Sequence, residues 1–181
     1  MSGLNLNIDL HDIGDLAQAW EQSPELVRRE LVAATDEALS ILEREIKEKT
    51  PVGVGGSAGL RGSITAYTPE VTPLGVLGVV GTSMAHALPV ELGTRPHFPP
   101  IEPLITWLHA SPKGQTLMNK VRASDPGATK YEIALAIARK IAARGTLAIG
   151  MFHRSFHQLQ PQISDMYERA NQRIVDGLTR G

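Results

Sequence analysis

A proline-rich stretch in the middle of the chain places the firmest limit on how the chain folds. Four of the 12 prolines fall between Pro96 and Pro103. Because proline has a fixed φ and no backbone N–H, the segment from 96 to 100 fits neither a helix interior nor a central strand. Gly93 precedes this segment, and an apolar helix containing Trp107 follows it. We therefore interpret residues 88–107 as a rigid structural or docking element.

Composition narrows the classes of protein and of site. The chain has 181 residues, which predicts one compact domain. Aromatic residues make up 4% of it, so the core must be aliphatic, and a net charge of −1 gives no overall reason to bind nucleic acid or an anionic membrane. The lack of cysteine excludes disulfides, thiol catalysis and cysteine–zinc sites. With neither a signal-like N-terminus nor a run of about 20 apolar residues, we expect a soluble chain made in the cytoplasm.

The first half of the chain predicts a strand, a long helix and a hairpin. Residues 4–10 alternate apolar and polar side chains, which indicates a half-buried strand, and residues 12–20 resemble a short helix. Ser23-Pro24-Glu25 is a helix start, and an amphipathic pattern continues to about Lys49. A flexible glycine-rich loop over 53–59 follows. Residues 61–68 and 74–82 then indicate two strands of an antiparallel hairpin, whose turn lies between Pro69 and Pro73.

The second half predicts mainly helices. We expect a helical turn over 84–92 and helices over 101–110 and 130–143, with a loop-like region over 111–129 that holds one short helix at 115–122. A last helix over 151–178 is predicted to bend or break at Pro161. The predicted fold class is α+β, with a small antiparallel sheet packed against the long N-terminal helix and further helices in the C-terminal half. Within a single domain, 1–181, the predicted parts are an arm (1–22), a core (24–110), a helical insertion (111–148) and a C-terminal helix (149–181).

Several side-chain groups are compatible with chemistry and with simpler roles. His153 and His157 have the i,i+4 spacing of a helical zinc pair, which leaves open a zinc-dependent hydrolase, although no glutamate lies between them. Glu91 with His86 and His97 suits either an acid–base cluster or a hydrogen-bond anchor that accepts from backbone N–H groups or from Arg95. The anchor is favoured, because no nucleophile or second carboxylate completes a mechanism.

A group of basic residues in the second half leaves open a DNA-binding accessory role. The simpler interpretation is solvated charge and helix C-terminal partners. The group consists of Lys113, Lys120, Arg122, Arg139, Lys140 and Arg144.

The order of these elements resembles the head–tail-joining and tail-completion proteins of long-tailed bacteriophages. That family carries an A-P-V-x-T-G-x-L-R-x-S-I run followed by Y-A-x-x-V-E-x-G-T. In this chain the first run is matched by Pro51, Val52, Leu60, Arg61, Ser63 and Ile64, and the second by Ala87, Val90, Glu91, Gly93 and Thr94. His86 stands where the family usually has tyrosine, and the loop before Leu60 is longer and richer in glycine. The similarity extends over most of residues 24–175.

The resemblance implies a non-enzymatic virion protein of the phage neck, without cofactor or metal. It implies a ring, commonly six-fold, located at the head–tail junction between the portal connector and the tail tube. Implied partners are further copies of the chain, connector and tail-tube proteins, and genomic DNA passing through without sequence-specific binding. Arg61 and Glu91 would fix the hairpin and the 88–98 turn, and the 53–59 and 93–100 loops would contact neighbouring subunits. The residues assigned to the structural motif or subunit interface are Pro51, Leu60, Arg61, Ser63, Glu91, Gly93, Thr94, Arg95, His97 and Phe98.

Overall fold

The computed structural model describes residues 23–53 and 59–179, and its helices and strands give the α+β fold class that was predicted. The helices are α1 (Pro24–Lys49), α2 (Leu60–Ser63), α3 (Ala87–Leu92), α4 (Ile101–Ala110), α5 (Pro112–Ser124), α6 (Lys130–Arg144) and α7 (Met151–Thr179). The strands are β1 (Thr65–Ala66), β2 (Glu70–Thr72), β3 (Gly75–Leu77) and β4 (Val80–Gly81). The strand predicted over 4–10, the helix over 12–20 and most of the 53–59 loop lie outside the described residues.

The chain divides into two compact units, each assembled from separate segments. We call them the terminal unit (described residues 23–42, 66–80 and 157–179) and the central unit (43–53, 59–65 and 81–156). The prediction of a single domain stays a prediction.

The core of the terminal unit forms between α1, α7 and the β2–β3 hairpin. Val27, Leu31 and Ile174 are buried together, and Val76 of β3 packs against them. Gly78 lies directly against α1, since an added Cβ would come within 3.0 Å of the Leu39 side chain. The small sheet therefore packs on the long N-terminal helix, as predicted. The amphipathic pattern of α1 predicts an apolar stripe of Val27, Leu31, Ala34, Ala38, Ile41, Leu42 and Ile46. All of these are buried except Ile41, which is half-buried, and Leu39 is buried in addition.

The hairpin differs in detail from the prediction. In the β2–β3 register Val71 lies opposite Val76 and Thr72 opposite Gly75, so the turn is Pro73–Leu74 and not the segment between Pro69 and Pro73. β1 pairs with β4. The start of the predicted first strand is wrong, because residues 60–63 form the short helix α2, with the Ser63 N–H donating to the Gly59 carbonyl at 3.1 Å.

The core of the central unit is built from three helices. Leu108 of α4 is buried with Ile133 and Ala134 of α6. The other residues of the apolar side that the sequence predicts for α4 are partly buried around them: Ile101, Leu104 and Ile105. α5 packs beside them, with Leu117, Met118 and Val121 in the same cluster. The loop-like interpretation of 111–129 is therefore wrong for residues 112–124, which form one helix.

The starts and interiors of these helices follow from local chemistry. The Ser111 side chain accepts from the Gly114 N–H, and Pro112 occupies the first turn, where its missing N–H costs nothing. Thr129 and Glu132 form a capping box at the start of α6. α7 continues through Pro161 without a break, contrary to the alternative of a broken helix.

Candidate functional site

Glu91 joins α3 to the start of α7 inside the central unit. Its carboxylate accepts two backbone N–H groups, that of Phe152 at 2.9 Å and that of His153 at 3.0 Å. The first N–H groups of a helix have no partner within the helix, and its N-terminus carries partial positive charge. The negatively charged side chain of Glu91 gives two of these N–H groups a hydrogen-bond partner, and it places negative charge at the positive end of the helix. Glu91 is therefore a helix-capping anchor.

A short backbone bridge runs beside this anchor. Thr94 and Thr146 exchange N–H···O bonds of 3.1 and 3.2 Å, and their hydroxyl oxygens lie 3.1 Å apart. The Ile149 and Gly150 N–H groups donate to the carbonyls of Val90 and Glu91 at 2.9 and 3.0 Å. These hydrogen bonds hold residues 146–150, which precede α7, alongside α3 and the residues that follow α3.

Two glycines permit this close approach of the backbones. Gly93 ends α3 at φ 74°, and Gly145 ends α6 at φ 68°, a region that other residues rarely adopt. A Cβ at Gly93 would lie 2.8 Å from the Ala148 nitrogen, and a Cβ at Gly145 would overlap the Thr94 carbonyl. Both positions therefore require glycine for conformation and for space.

The end of α1 reaches the same first turn of α7. The Thr50 hydroxyl donates to the Ile46 carbonyl at 2.6 Å and lies 3.2 Å from Sδ of Met151, which is fully buried. The Thr50 carbonyl accepts from Arg61 Nε at 3.1 Å and Nη2 at 2.7 Å. Arg61 thus satisfies carbonyls at the C-terminus of α1, where a cation is electrostatically favourable.

The two motif runs therefore meet at one place, which we call the α7 junction: Thr50, Arg61, Glu91, Thr94, Thr146 and residues 149–153. Around it, Leu60 is buried, Pro51 is half-buried, and Ser63 Oγ lies 2.6 Å from Thr82 Oγ1. The expected role of Arg61 needs correction, since its hydrogen bonds go to the end of α1 and not to the hairpin. The Glu91 carboxylate is hydrogen-bonded to the start of α7, which is distant along the chain, and not to a residue of the 88–98 turn.

The remaining predicted site residues lie on the surface. Arg95, His97 and Phe98 are exposed, and the Nδ1 of His97 lies 2.9 Å from the Arg95 carbonyl, to which it donates. The structure thus separates the predicted residues into those that take part in the packing of the central unit and three that are exposed.

The alternatives that require chemistry gain no support from the geometry. Both oxygens of Glu91 receive backbone N–H groups, and within residues 23–53 and 59–179 neither Arg95 nor a histidine ring is hydrogen-bonded to this carboxylate. The same residues contain no cluster of three or more side chains suited to hold a metal ion.

Sequence patterns missed the partners of the junction. These partners lie 52 to 101 positions along the chain from the residues they contact: Thr146, the 149–153 backbone and Met151. The sequence predicts that the helix ends near Arg144, but it does not indicate that Thr94 limits the space at Gly145. The one signal that pointed here was Glu91 itself, a single acid before Gly-Thr with no catalytic companion.

Two further findings concern the whole of the described chain. No helix in it is long and apolar enough to span a bilayer. Searches against protein-family models, curated proteins and solved structures gave no match to this chain.

Proposed function

We propose that this protein is a structural, non-enzymatic subunit of the neck of a long-tailed bacteriophage, of the tail-completion, tail-terminator or head–tail-joining kind. In this proposal it forms a homo-oligomeric ring, with six copies as the first expectation, at the head–tail junction of the virion. Its partners there are connector and tail-tube proteins, and DNA passes through without sequence-specific binding. The proposal takes its location and partners from the motif resemblance and its mode of assembly from the surface described next.

The observation that carries the proposal is the exposed apolar surface of the hairpin. Leu74 at the turn is 100% exposed, and Tyr67, Val71, Leu77 and Val79 are also exposed. Within the described residues β2 has only β3 beside it, so the ribbon has open edges. Two-stranded ribbons with exposed apolar side chains are marginally stable alone and are typical of surfaces that bind another chain.

A second, different apolar surface lies in the central unit. Leu88 and Leu92 are one turn apart on α3, and Leu147, which is 92% exposed, passes beside Gly93. Phe98 is exposed nearby in the sequence. A subunit with two different contact surfaces makes heterologous contacts, and such contacts close into rings when the rotation allows. This supports a ring over a two-fold dimer.

The decisive measurement is the mass of the purified protein, alone and after mixing with tail tubes. We expect a closed oligomer or a tube-bound ring. A strict monomer that never joins tubes would overturn the proposal.

Variants should be chosen on the surface and not at the α7 junction. Glu91→Ala removes a helix anchor, so a loss of particles would not distinguish misfolding from failed assembly. Leu74→Asp changes a fully exposed side chain and should leave the unfolding midpoint unchanged while weakening assembly. Thr68→Asp, at an exposed polar position shortly before β2, is the matched control.

A DNA-binding accessory role is the second candidate, and one observation favours it. All six basic residues singled out between 113 and 144 are exposed, and none of them is in an ion pair within the described chain. Affinity for duplex DNA that falls linearly on a log–log plot against salt would support this role. No binding at low salt would exclude it.

A further inference from the structure

The β2–β3 hairpin has an inner face that is covered and an outer face that is not. Val76 points inward, because it packs against the buried cluster of α1 and α7. Gly78 lies on the same side, since a Cβ there would be 2.7 Å from the Thr35 side chain. Successive side chains of a strand point to opposite faces, so Leu77, between these two residues, points outward. Its exposure of 47% agrees with this direction.

The outer face combines apolar side chains with one carboxylate. Glu70 lies opposite Leu77 in the β2–β3 register, and directly opposed side chains share a face. Glu70 is exposed, and it has no ion pair among the described residues. It is also the only ionisable residue between positions 68 and 81. With the exposed turn residue, these side chains form what we call the hairpin face: Glu70, Leu74 and Leu77. A complementary surface must supply apolar side chains and a cation.

The central unit has such a surface around its short backbone bridge. Leu147 lies at one end of the bridge, where a Cβ on Gly93 would be 3.1 Å from the Leu147 carbonyl carbon. Arg95 lies at the other end, where a Cβ on Gly145 would be 2.9 Å from the Arg95 carbonyl carbon. The exposed residues at the two ends form what we call the bridge surface: Leu92, Arg95, Arg144 and Leu147.

The two cations of the bridge surface have no acidic partner in the described part of the chain. Neither Arg95 nor Arg144 is in an ion pair there. Glu91, the acid nearest to Arg95 along the chain, uses both carboxylate oxygens to accept backbone N–H groups. The bridge surface therefore carries uncompensated positive charge beside exposed leucines, and the hairpin face carries the opposite charge beside its own leucines.

We propose that the hairpin face of one copy binds the bridge surface of the next copy. The leucines of the two surfaces cover each other, and Glu70 pairs with Arg95 or Arg144. This inference rests on the proposed ring and names the two surfaces that meet in it. Because the surfaces differ, each copy offers one to each neighbour, as a head-to-tail ring requires. Pairing of two hairpin faces would instead bring like charges together.

Cysteine trapping tests the pairing, since the chain has no cysteine of its own. A Leu77→Cys protein is mixed with a Leu147→Cys protein, oxidised in the native state and separated under non-reducing, denaturing conditions. Positions 92, 95 and 144 are tried in turn for the second cysteine. We expect a product of dimer mass from the mixture and much less from either protein alone, because a disulfide needs Cα atoms within about 7 Å. Val71→Cys, opposite Val76 on the inner face, is the matched control and should not cross-link.

Charge exchange gives a second measurement that does not need cysteine. Glu70→Arg places like charges on both surfaces and should weaken assembly roughly tenfold or more at low salt. Adding Arg95→Glu and Arg144→Glu to the same chain makes the charges opposite again and should restore assembly. Glu168→Arg, at an exposed acid of α7, changes the net charge equally and should weaken assembly far less.

The outcomes separate this contact from the ring itself. No cross-link at any of the four positions, in a chain that still forms oligomers, would overturn the pairing and leave the ring standing. Equal cross-linking of Leu77→Cys alone would overturn it too, because two hairpin faces would then meet. Failure of the exchanged charges to restore assembly would show that Glu70 does not pair with the arginines. An original chain that forms no oligomer would count against the proposed ring.

Discussion

Glu91 shows how a single side chain can connect parts of the chain that are distant in sequence. Its two oxygens hold the Phe152 and His153 N–H groups, and its own carbonyl accepts from Gly150. All three contacts lie within the first turn of α7 or just before it. Removing the carboxylate would leave two helix-terminal donors without their partner and would remove a favourable charge from the positive end of the helix.

We expect Glu91→Ala to lower the free energy of unfolding by about 1–2 kcal/mol, the usual cost of losing a helix cap. Glu102→Ala is the matched control, because Glu102 is an exposed acid in the first turn of α4. That variant should cost about 0.5 kcal/mol or less. Urea unfolding of the three proteins measures the difference. Equal midpoints for Glu91→Ala and the unchanged chain would show that the cap carries no stability.

Glu30 gives the terminal unit a dependence on pH. The hydrogen bond from Arg173, at 2.7 Å, lowers the pKa of Glu30 below its usual value, partial burial opposes this shift, and Arg29 adds to it. A carboxyl whose pKa is lower in the folded state stabilises the fold above the pKa of the unfolded state, which is near 4.5. That contribution is lost as the pH falls through the lowered pKa.

The Arg173→Gln variant should therefore differ from the unchanged chain at pH 7 and much less at pH 3. Since half of the Arg173 side chain is exposed, the difference at pH 7 should be below about 1 kcal/mol. Unfolding free energies at both values of pH measure it. A gap that stays constant, or widens in acid, would mean that the ion pair is not its source.

At the scale of elements, the fold depends on how the helices end. α6 stops at Gly145, whose φ of 68° turns the chain toward Thr94. The same turn allows Thr146 to pair with Thr94 and lets residues 149 and 150 reach α3. One glycine therefore sets the path from α6 to α7.

Gly145→Ala should lower the free energy of unfolding by at least about 2 kcal/mol. The new Cβ would add the strain of a positive φ and would also overlap the Thr94 carbonyl. Gly127→Ala is the control, because its φ is not positive and a Cβ there would make only an ordinary contact, 3.5 Å from the Asp125 side chain. Thermal unfolding compares them. A Gly145→Ala protein as stable as the control would mean that the junction adjusts without cost.

The elements that sequence analysis predicted well are those whose ends carry their own chemistry. Ser23-Pro24 and Thr50-Pro51 delimit α1, and Thr129 with Glu132 marks the start of α6. Ser111-Pro112 is the same start signal as Ser23-Pro24. Gly114 obscures this signal, because glycine is disfavoured inside helices. Gly114 is there for space, since a Cβ would lie 2.7 Å from the Leu108 Cα.

The α7 junction could not be predicted in the same way, because its contacts are non-local. Spacing along one helix or strand indicates which residues share a face, but it does not indicate that Glu91 meets Phe152 or that Thr50 meets Met151. Arg61, Glu91 and Thr94 of the motif take part in the junction, but the motif does not indicate their partners. Residues 61–63 show the same limit. They were expected to begin a strand, but they lie in the helical turn α2, from which Arg61 donates a hydrogen bond to the Thr50 carbonyl.

At the scale of the whole molecule, charge is divided unequally between the two units. Among the described residues the terminal unit has eight acidic and four basic side chains, and the central unit has seven acidic and thirteen basic ones. The net charge of −1 for the chain conceals this division. In the proposed ring, a contact between unlike units of neighbouring copies would join opposite charges. A contact between like units would be repulsive.

Charge reversal tests this arrangement in full. One variant carries Asp36→Lys, Glu37→Lys and Glu168→Lys, and the other carries Lys113→Glu, Lys120→Glu, Arg139→Glu and Lys140→Glu, all at exposed positions. Each variant alone should have like charges on both units and should fail to assemble at low salt. An equimolar mixture should recover oligomers, because copies of opposite sign can alternate. Mass measurement of each protein and of the mixture separates the outcomes.

Variants that assemble alone as well as the original chain does would show that charge does not pair the units. If both fail alone and their mixture also fails, the head-to-tail arrangement is wrong.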